Sequence, residues 1–148
     1  FMAAREVLAS NETVNPEQIS AIGYCFGGGI VLAMARRGAD LDLAASFHGS
    51  VATDAPVEKG RVKARLAVFN GAADKMVSIE QVEAFKAEMD SAGVDYLLVN
   101  YPNVLHAFTN PDADAYASEF GIPLKYDAKA DADSWKQLIE LLREAYVK

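Results

Sequence analysis

The stretch G-Y-C-F-G-G-G at residues 23–29 decides the fold class of this 148-residue chain. Residues Gln18–Tyr24 have the apolar character of a short strand, and Ile30–Arg37 has helical composition with a cationic end. The predicted order is therefore strand, tight turn, helix. A sharp turn of this kind leaves little room beside its central residue, so we expect Gly23 and Gly27 to be positions that must lack side chains.

Cys25 lies at the centre of this turn, in a G-x-C-x-G pattern with cysteine where a nucleophile elbow usually has serine. Backbone N–H groups at the start of the following helix favour a negatively charged sulfur, so we predict that Cys25 is a nucleophile. Two alternatives stay open, since a lone cysteine is often a small core residue and an accessible thiol can sense oxidants. A dinucleotide site fits poorly, because G-x-G-x-x-G does not occur in the required spacing.

Asp74 and His106 are the candidates for the other groups that such a nucleophile needs. The expected chain order is nucleophile, acid, histidine, and of the two histidines only His106 comes late enough to leave room for an acid. Asp74 follows a predicted strand at Ala64–Phe69. Each of the three side chains comes just after the carboxyl end of a predicted strand, which is where open parallel sheets build their sites.

Each of these residues also has a purely structural interpretation. An aspartate after Gly-Ala-Ala is commonly a turn residue bonded to its own backbone, and His106 is open to being a buried structural histidine. We take His48, which follows a predicted strand, as structural or pocket-lining. A metal site made of His48, Asp74 and His106 is disfavoured, because no helix or hairpin spacing brings the three together.

The alternation of strands and helices predicts a parallel α/β sheet that is covered on both faces. The predicted strands are Gln18–Tyr24, Leu43–Phe47, Ala64–Phe69 and Tyr96–Tyr101. Helices are predicted at Met2–Ala9 and after Ser78, where Gln81 completes a capping box. Residues 111–133 have no strong periodicity and are predicted as an irregular polar stretch, with the last helix beginning at Ser134.

Composition and charge exclude several classes of partner. The 14 basic and 21 acidic residues give a net charge of −7, which would repel the phosphates of a nucleic acid. The sequence has no apolar run of about 18 residues, so we expect no membrane partner. The single cysteine fits a reducing, cytoplasmic location.

Four segments together resemble the dienelactone hydrolase (carboxymethylenebutenolidase) family of α/β-hydrolases. They are G-Y-C-F-G-G at 23–28, N-G-A-A-D at 70–74, H-A-F-T-N-P at 106–111, and Y-D-A-K-A-D through S-W at 126–135. The resemblance implies hydrolysis of a small ester or lactone through an acyl-enzyme, with no cofactor and no metal. It implies Cys25 as nucleophile, His106 as base and Asp74 as its orienting acid, with the Phe26 backbone N–H holding the oxyanion.

The resemblance also implies several strands before the elbow, where this chain has only about 20 residues. We therefore expect residues 1–148 to form one partial domain, the C-terminal half of an α/β-hydrolase fold with about four mostly parallel strands. Losing one oxyanion donor costs about 2.7–4 kcal/mol of transition-state stabilisation. The alternative hypothesis is thus a catalytically impaired, truncated remnant that acts as an oligomerising or binding module. The apolar edge at Gln18–Tyr24 predicts a homodimer.

Overall fold

The computed structural model describes residues 1–147, in which four strands form one parallel sheet. The strands are β1 (Ala21–Tyr24), β2 (Leu43–Phe47), β3 (Arg65–Gly71) and β4 (Tyr96–Tyr101). Their order in the sheet is β1-β2-β3-β4, and all three pairings are parallel. The parallel α/β architecture expected from the sequence is confirmed.

Helices cover the two faces of the sheet. Residues 1–147 contain five helices: α1 (Met2–Ala9), α2 (Phe26–Arg36), α3 (Ile79–Ala92), α4 (Ala113–Phe120) and α5 (Ala128–Tyr146). One core joins α2 and α3 to alternate strand residues: Val31, Leu32, Ala44, Leu66, Val68, Val82, Phe85 and Met89. The other joins α5 to the intervening residues: Leu43, Ala45, Phe47, Ala67, Phe69, Leu138 and Leu141. The central strands β2 and β3 are apolar throughout because both of their faces are buried.

Helix ends follow local sequence where a cap is present. The capping box at Ser78 and Gln81 forms as predicted, and Gly93 ends α3 in the left-handed conformation at φ 67°. A buried ion pair ties α2 to α3: Arg36 Nη2 lies 2.8 Å from Glu88 Oε2, and both side chains are less than a tenth exposed. The pair links the two helices that cover the same face of the sheet.

The prediction of an irregular stretch over residues 111–133 is wrong. This segment contains α4 and the first part of α5, which begins at Ala128 rather than at Ser134. Asp127 caps α5 by accepting hydrogen bonds from the backbone N–H groups of Lys129 and Ala130. The helical period was hidden because the buried positions of these segments carry small residues, Ala113, Ala130 and Ser134, instead of large apolar ones.

Two boundaries near the elbow also differ from expectation. β1 begins at Ala21 instead of Gln18, and α2 begins at Phe26 instead of Ile30. The three glycines at 27–29 have low helix propensity, but tertiary packing against β2 overrides it. The helix therefore starts at the residue directly after Cys25.

β1 lies at one edge of the sheet, and it is only partly covered. Ile22 is 40% exposed and Tyr24 is 44% exposed. Among residues 1–147, no helix combines the length and apolar character needed to cross a bilayer.

Candidate active site

Cys25 occupies a strained turn between β1 and α2. Its backbone has φ 51° and ψ −118°, a region that residues with a side chain rarely adopt. Two backbone hydrogen bonds hold this conformation: the Cys25 N–H donates to the Phe47 carbonyl at 3.0 Å, and the Gly29 N–H donates to the Cys25 carbonyl at 3.2 Å. The turn presents the Cys25 side chain at the carboxyl edge of the sheet, where it is exposed.

The glycines around this turn differ in how tightly they are packed. A Cβ built on Gly23 would lie 2.3 Å from the carbonyl carbon and oxygen of Gly27, so a side chain is excluded there, as expected. A Cβ on Gly27 meets nothing within 4 Å, so the predicted steric requirement at Gly27 is absent. The second crowded position is Gly28, where a Cβ would lie 2.5 Å from Ser46 Oγ. That contact arises where α2 crosses β2, which spacing within the motif does not reveal.

The structure brings Cys25, Asp74 and His106 into one hydrogen-bonded chain. His106 Nε2 lies 3.3 Å from Cys25 Sγ, and His106 Nδ1 lies 2.7 Å from Asp74 Oδ2. The Asp74 side chain is fully buried and that of His106 is 6% exposed. Asp74 Oδ1 also accepts a hydrogen bond from the Met76 N–H at 2.7 Å, so one carboxylate orders its own turn and holds the histidine.

Backbone hydrogen bonds join the loop that carries Asp74 to the loop that carries His106. The Ala72 N–H donates to the Tyr101 carbonyl at 2.8 Å, and the Ala73 N–H donates to the Val104 carbonyl at 3.0 Å. Close packing reinforces this, because a Cβ on Gly71 would lie 2.3 Å from the Val104 oxygen. The separation between the carboxylate and the imidazole is therefore set by backbone contacts between the ends of β3 and β4.

Opposing effects set the protonation of His106. Burial lowers its pKa, but hydrogen bonds and charges from Asp74 and Cys25 outweigh burial and hold the pKa of His106 above its ordinary value. An imidazole in this setting is well suited to take the proton of the Cys25 thiol and keep it while the sulfur reacts.

His48 lies beside this chain but carries no charge near neutral pH. Its ring meets that of His106 edge-on, with centroids 4.9 Å apart, and its Nε2 lies 2.9 Å from Thr109 Oγ1. Burial and the neighbouring His106 lower the pKa of His48 to about 4. His48 is therefore a neutral, pocket-lining residue.

Two cavities open on either side of the Cys25–His106 pair, and both are lined by Cys25, His48, Met76 and His106. The helix-side cavity has a volume of about 440 Å³, and the residues lining it beyond the shared four are Phe26, Gly29, Ile30, Ser50, Ala52 and Val77. The loop-side cavity has a volume of about 570 Å³, and its further lining is Tyr24, Ala107, Thr109, Asn110, Pro111, Ile122, Leu124 and Asp131.

Sequence reasoning missed several of these lining residues. Met76 lies two positions after Asp74, so proximity in the chain was the available clue. Asp131 belongs to the family-like segment at 126–135, but its spacing did not indicate a place at the site, to which α5 brings it from the far end of the chain. Within residues 1–147, no group of three or more His, Cys, Asp or Glu side chains is arranged to hold a metal ion.

The sequence matches a known protein family over nearly its whole length. A model of the dienelactone hydrolase family matches residues 1–146. The chain belongs to the dienelactone hydrolase family. It is 33% identical to an uncharacterised protein of Caenorhabditis elegans, covering 97% of this chain and 90% of that protein.

The chain is similar in fold to solved structures of α/β-hydrolases. A dienelactone-hydrolase-like promiscuous phosphotriesterase from metagenomic libraries is 34% identical with a TM-score of 0.85, over 97% of this chain and 59% of that chain. An α/β-hydrolase enzyme from a deep-sea metagenome library is 15% identical with a TM-score of 0.73, over 96% of this chain and 61% of that one. The chain thus spans about three fifths of these solved relatives.

Proposed function

We propose that this dienelactone hydrolase family member cleaves small esters or lactones through a covalent intermediate on Cys25. The observation that carries the proposal is the unbroken chain of contacts from Cys25 Sγ to His106 Nε2 at 3.3 Å and from His106 Nδ1 to Asp74 Oδ2 at 2.7 Å. Nucleophile, base and orienting acid in that geometry are the requirements of acyl transfer.

In the first half of the reaction, His106 takes the thiol proton and the sulfur attacks the carbonyl carbon of the substrate. The carbonyl oxygen, on which negative charge develops, accepts a hydrogen bond from the Phe26 N–H. Phe26 is the first residue of α2, so its N–H has no partner within the helix. Collapse of the tetrahedral intermediate breaks the bond to the alcohol. The alcohol leaves with the proton held by His106, and the acyl group remains as a thioester.

In the second half, His106 removes a proton from a water molecule, and the resulting hydroxide attacks the thioester carbonyl. The carbon–sulfur bond breaks, the carboxylic acid is released, and the proton returns to Cys25. Asp74 accepts a hydrogen bond from His106 Nδ1–H throughout the reaction. This bond keeps the His106 ring in the tautomer whose Nε2 is free to take a proton.

A direct test uses 4-nitrophenyl acetate as substrate. We expect Cys25-dependent release of nitrophenolate that is lost in Cys25→Ala. Because the chain has one cysteine, stoichiometric alkylation by iodoacetamide reports on Cys25 alone. Alkylation should slow in His106→Gln, since the thiol has lost its base; equal rates for the two proteins would refute the assigned roles.

Phosphotriesters are a second candidate substrate class. The observation that favours them is the 34% identity and 0.85 TM-score shared with the phosphotriesterase described above. Attack of the Cys25 sulfur at phosphorus would expel one alcohol, which leaves with the proton held by His106, and the Phe26 N–H would hold the phosphoryl oxygen. Water activated by His106 would then break the sulfur–phosphorus bond, releasing the phosphodiester and returning the proton to Cys25. Hydrolysis of paraoxon that disappears in Cys25→Ala would support this activity, and its absence in a preparation that hydrolyses the aryl ester would exclude it.

A non-catalytic role remains the alternative, and the open edge of the sheet favours it. β1 lies at that edge with Ile22 and Tyr24 each at least 40% exposed, which suits pairing with another copy of the chain. Absence of Cys25-dependent turnover together with stable self-association would favour this alternative over the enzyme.

A further inference from the structure

The two cavities that meet at Cys25 are built from different parts of the chain. The helix-side cavity lies against the start of α2, next to the backbone of Phe26 and the side chain of Ile30. The loop-side cavity is lined by residues directly after His106, among them Ala107 and Thr109. Cys25 and His106 lie at the boundary between them, so one substrate can extend into both.

The chemistry of acyl transfer assigns a role to each cavity. His106 Nε2 must deliver its proton to the departing oxygen, and His106 lines both cavities, so the position of the carbonyl oxygen decides between them. With that oxygen at Phe26, in the helix-side cavity, the leaving group is assigned to the loop-side cavity. The carbonyl oxygen must reach the Phe26 N–H, which places the acyl group against α2, in the helix-side cavity. This division rests on the proposed function.

The two cavities differ in charge. The helix-side cavity is lined by no Asp, Glu, Lys or Arg among residues 1–147, whereas the loop-side cavity contains the carboxylate of Asp131. Across the described chain, no lysine or arginine lines either cavity. Among residues 1–147, the two histidines His48 and His106 are therefore the basic side chains of both cavities, and neither cavity has a permanently cationic group.

The charge of Asp131 is available to the loop-side cavity. Asp131 Oδ2 accepts a hydrogen bond from the Tyr126 hydroxyl at 3.0 Å, and within residues 1–147 it forms no ion pair. The charge of Asp131 also acts on Tyr24, which lines the same cavity: burial, and after it the charge of Asp131, raise the pKa of the Tyr24 phenol. Tyr24 directly precedes the nucleophile.

We propose that the loop-side cavity is a subsite for uncharged or cationic leaving groups, and that Asp131 makes it reject carboxylates. The substrate class is then an ester with an apolar acyl group and an alcohol that is neutral or carries an ammonium group. At a charge separation of about 10 Å, Coulomb's law at a protein-like dielectric gives a cationic group an advantage of about tenfold over a neutral one.

The first test needs no catalytic turnover, because Cys25 is the one thiol in the chain. Cys25 is modified with three methanethiosulfonates that transfer a trimethylammonioethyl, a methyl or a sulfonatoethyl group. Each rate is divided by the rate of the same reagent with free 2-mercaptoethanol. We expect the cationic reagent to exceed the anionic one by about tenfold or more at low salt, with the ratio falling as salt screens the charge.

Asp131→Asn should bring the cation-to-anion ratio close to that of the free thiol. Asp133→Asn is the matched control, since it removes the same charge from the same helix but does not line either cavity. An unchanged ratio in Asp131→Asn, or an equal drop in both variants, would overturn the proposal.

A second test uses turnover of three aryl acetates whose leaving phenols carry a meta trimethylammonium, tert-butyl or carboxylate group. We expect kcat/KM to fall in that order and the differences to shrink in Asp131→Asn. No turnover of any ester would refute the proposed function while the thiol rates still decide the charge preference. Turnover without charge discrimination would refute the subsite alone.

Discussion

At the scale of single residues, Asp74 is the side chain with two tasks that a substitution can separate. Asp74→Asn keeps an oxygen for the Met76 N–H but replaces the carboxylate that accepts from His106 Nδ1. The wrong imidazole tautomer should then be favoured, and we expect kcat/KM for an aryl ester to fall by about 10³–10⁴.

The control for this substitution is Asp54→Asn, which removes an exposed carboxylate that lines neither cavity. Thermal unfolding of both variants should stay close to that of the parent chain. An Asp74→Asn variant that retained near-parental kcat/KM would show that Asp74 is a turn residue only.

His48 gives a prediction about stability and pH. Its pKa is near its ordinary value of about 6.5 in the unfolded chain and about 4 in the folded one. As pH falls through this window the unfolded state binds a proton that the folded state refuses, so His48 should cost up to about 3 kcal/mol of stability by pH 4. The raised pKa of His106 acts above this window, where its stabilising contribution is lost as pH rises.

The measurement is urea unfolding of the parent chain and of His48→Phe at several pH values between 7 and 4. Phe retains the ring contacts with His106 and Phe108 while removing the titrating nitrogen. We expect the stability of the variant to depend less on pH in this window. Parallel pH profiles for the two proteins would contradict the assignment of His48 as a neutral buried histidine.

At the scale of secondary-structure elements, the turn between β1 and α2 depends on Gly23 more than on Gly27. Gly23→Ala would put a Cβ 2.3 Å from the Gly27 backbone, which must shift to make room. We expect a loss of about 3 kcal/mol or more of unfolding free energy.

Gly27→Ala is the matched comparison, because its added Cβ meets nothing within 4 Å. Alanine also has the higher helix propensity, so this variant should be as stable as the parent or up to about 1 kcal/mol more stable. Chemical denaturation of the two variants gives the answer. Equal destabilisation by both substitutions would contradict the packing described here.

The sequence predicts elements well where local patterns and burial agree. β2 and β4 have the predicted bounds, and the capping box at Ser78 sets the start of α3. Prediction fails where small residues are buried, as at Ala113 and Ala130, since alanine does not mark a helix face. For the site, motif spacing indicated Cys25, Asp74 and His106, whereas Asp131 reaches the loop-side cavity through tertiary packing that no spacing encodes.

At the scale of the whole molecule, the uncovered edge of the sheet predicts self-association. β1 offers unpaired backbone groups and the exposed side chains of Ile22 and Tyr24 to a second copy. We expect light scattering to give the mass of a dimer at micromolar concentrations.

Ile22→Lys should shift this equilibrium to the monomer, because a charge on an edge strand opposes pairing. Val7→Lys on α1 is the control, since Val7 is equally apolar and 72% exposed but lies outside the sheet. A monomer in the parent chain at high concentration would rule out pairing through β1.

The strand order β1-β2-β3-β4 also bears on how the chain can be assembled during translation. Among residues 1–147, each of the four strands pairs only with the strands directly before and after it in the sequence, so none of these four has to be inserted between two that are already paired. These four strands can therefore pair one at a time as the ribosome releases this part of the chain. On that route the pocket is finished last, when the segment carrying His106 and α5 has been made.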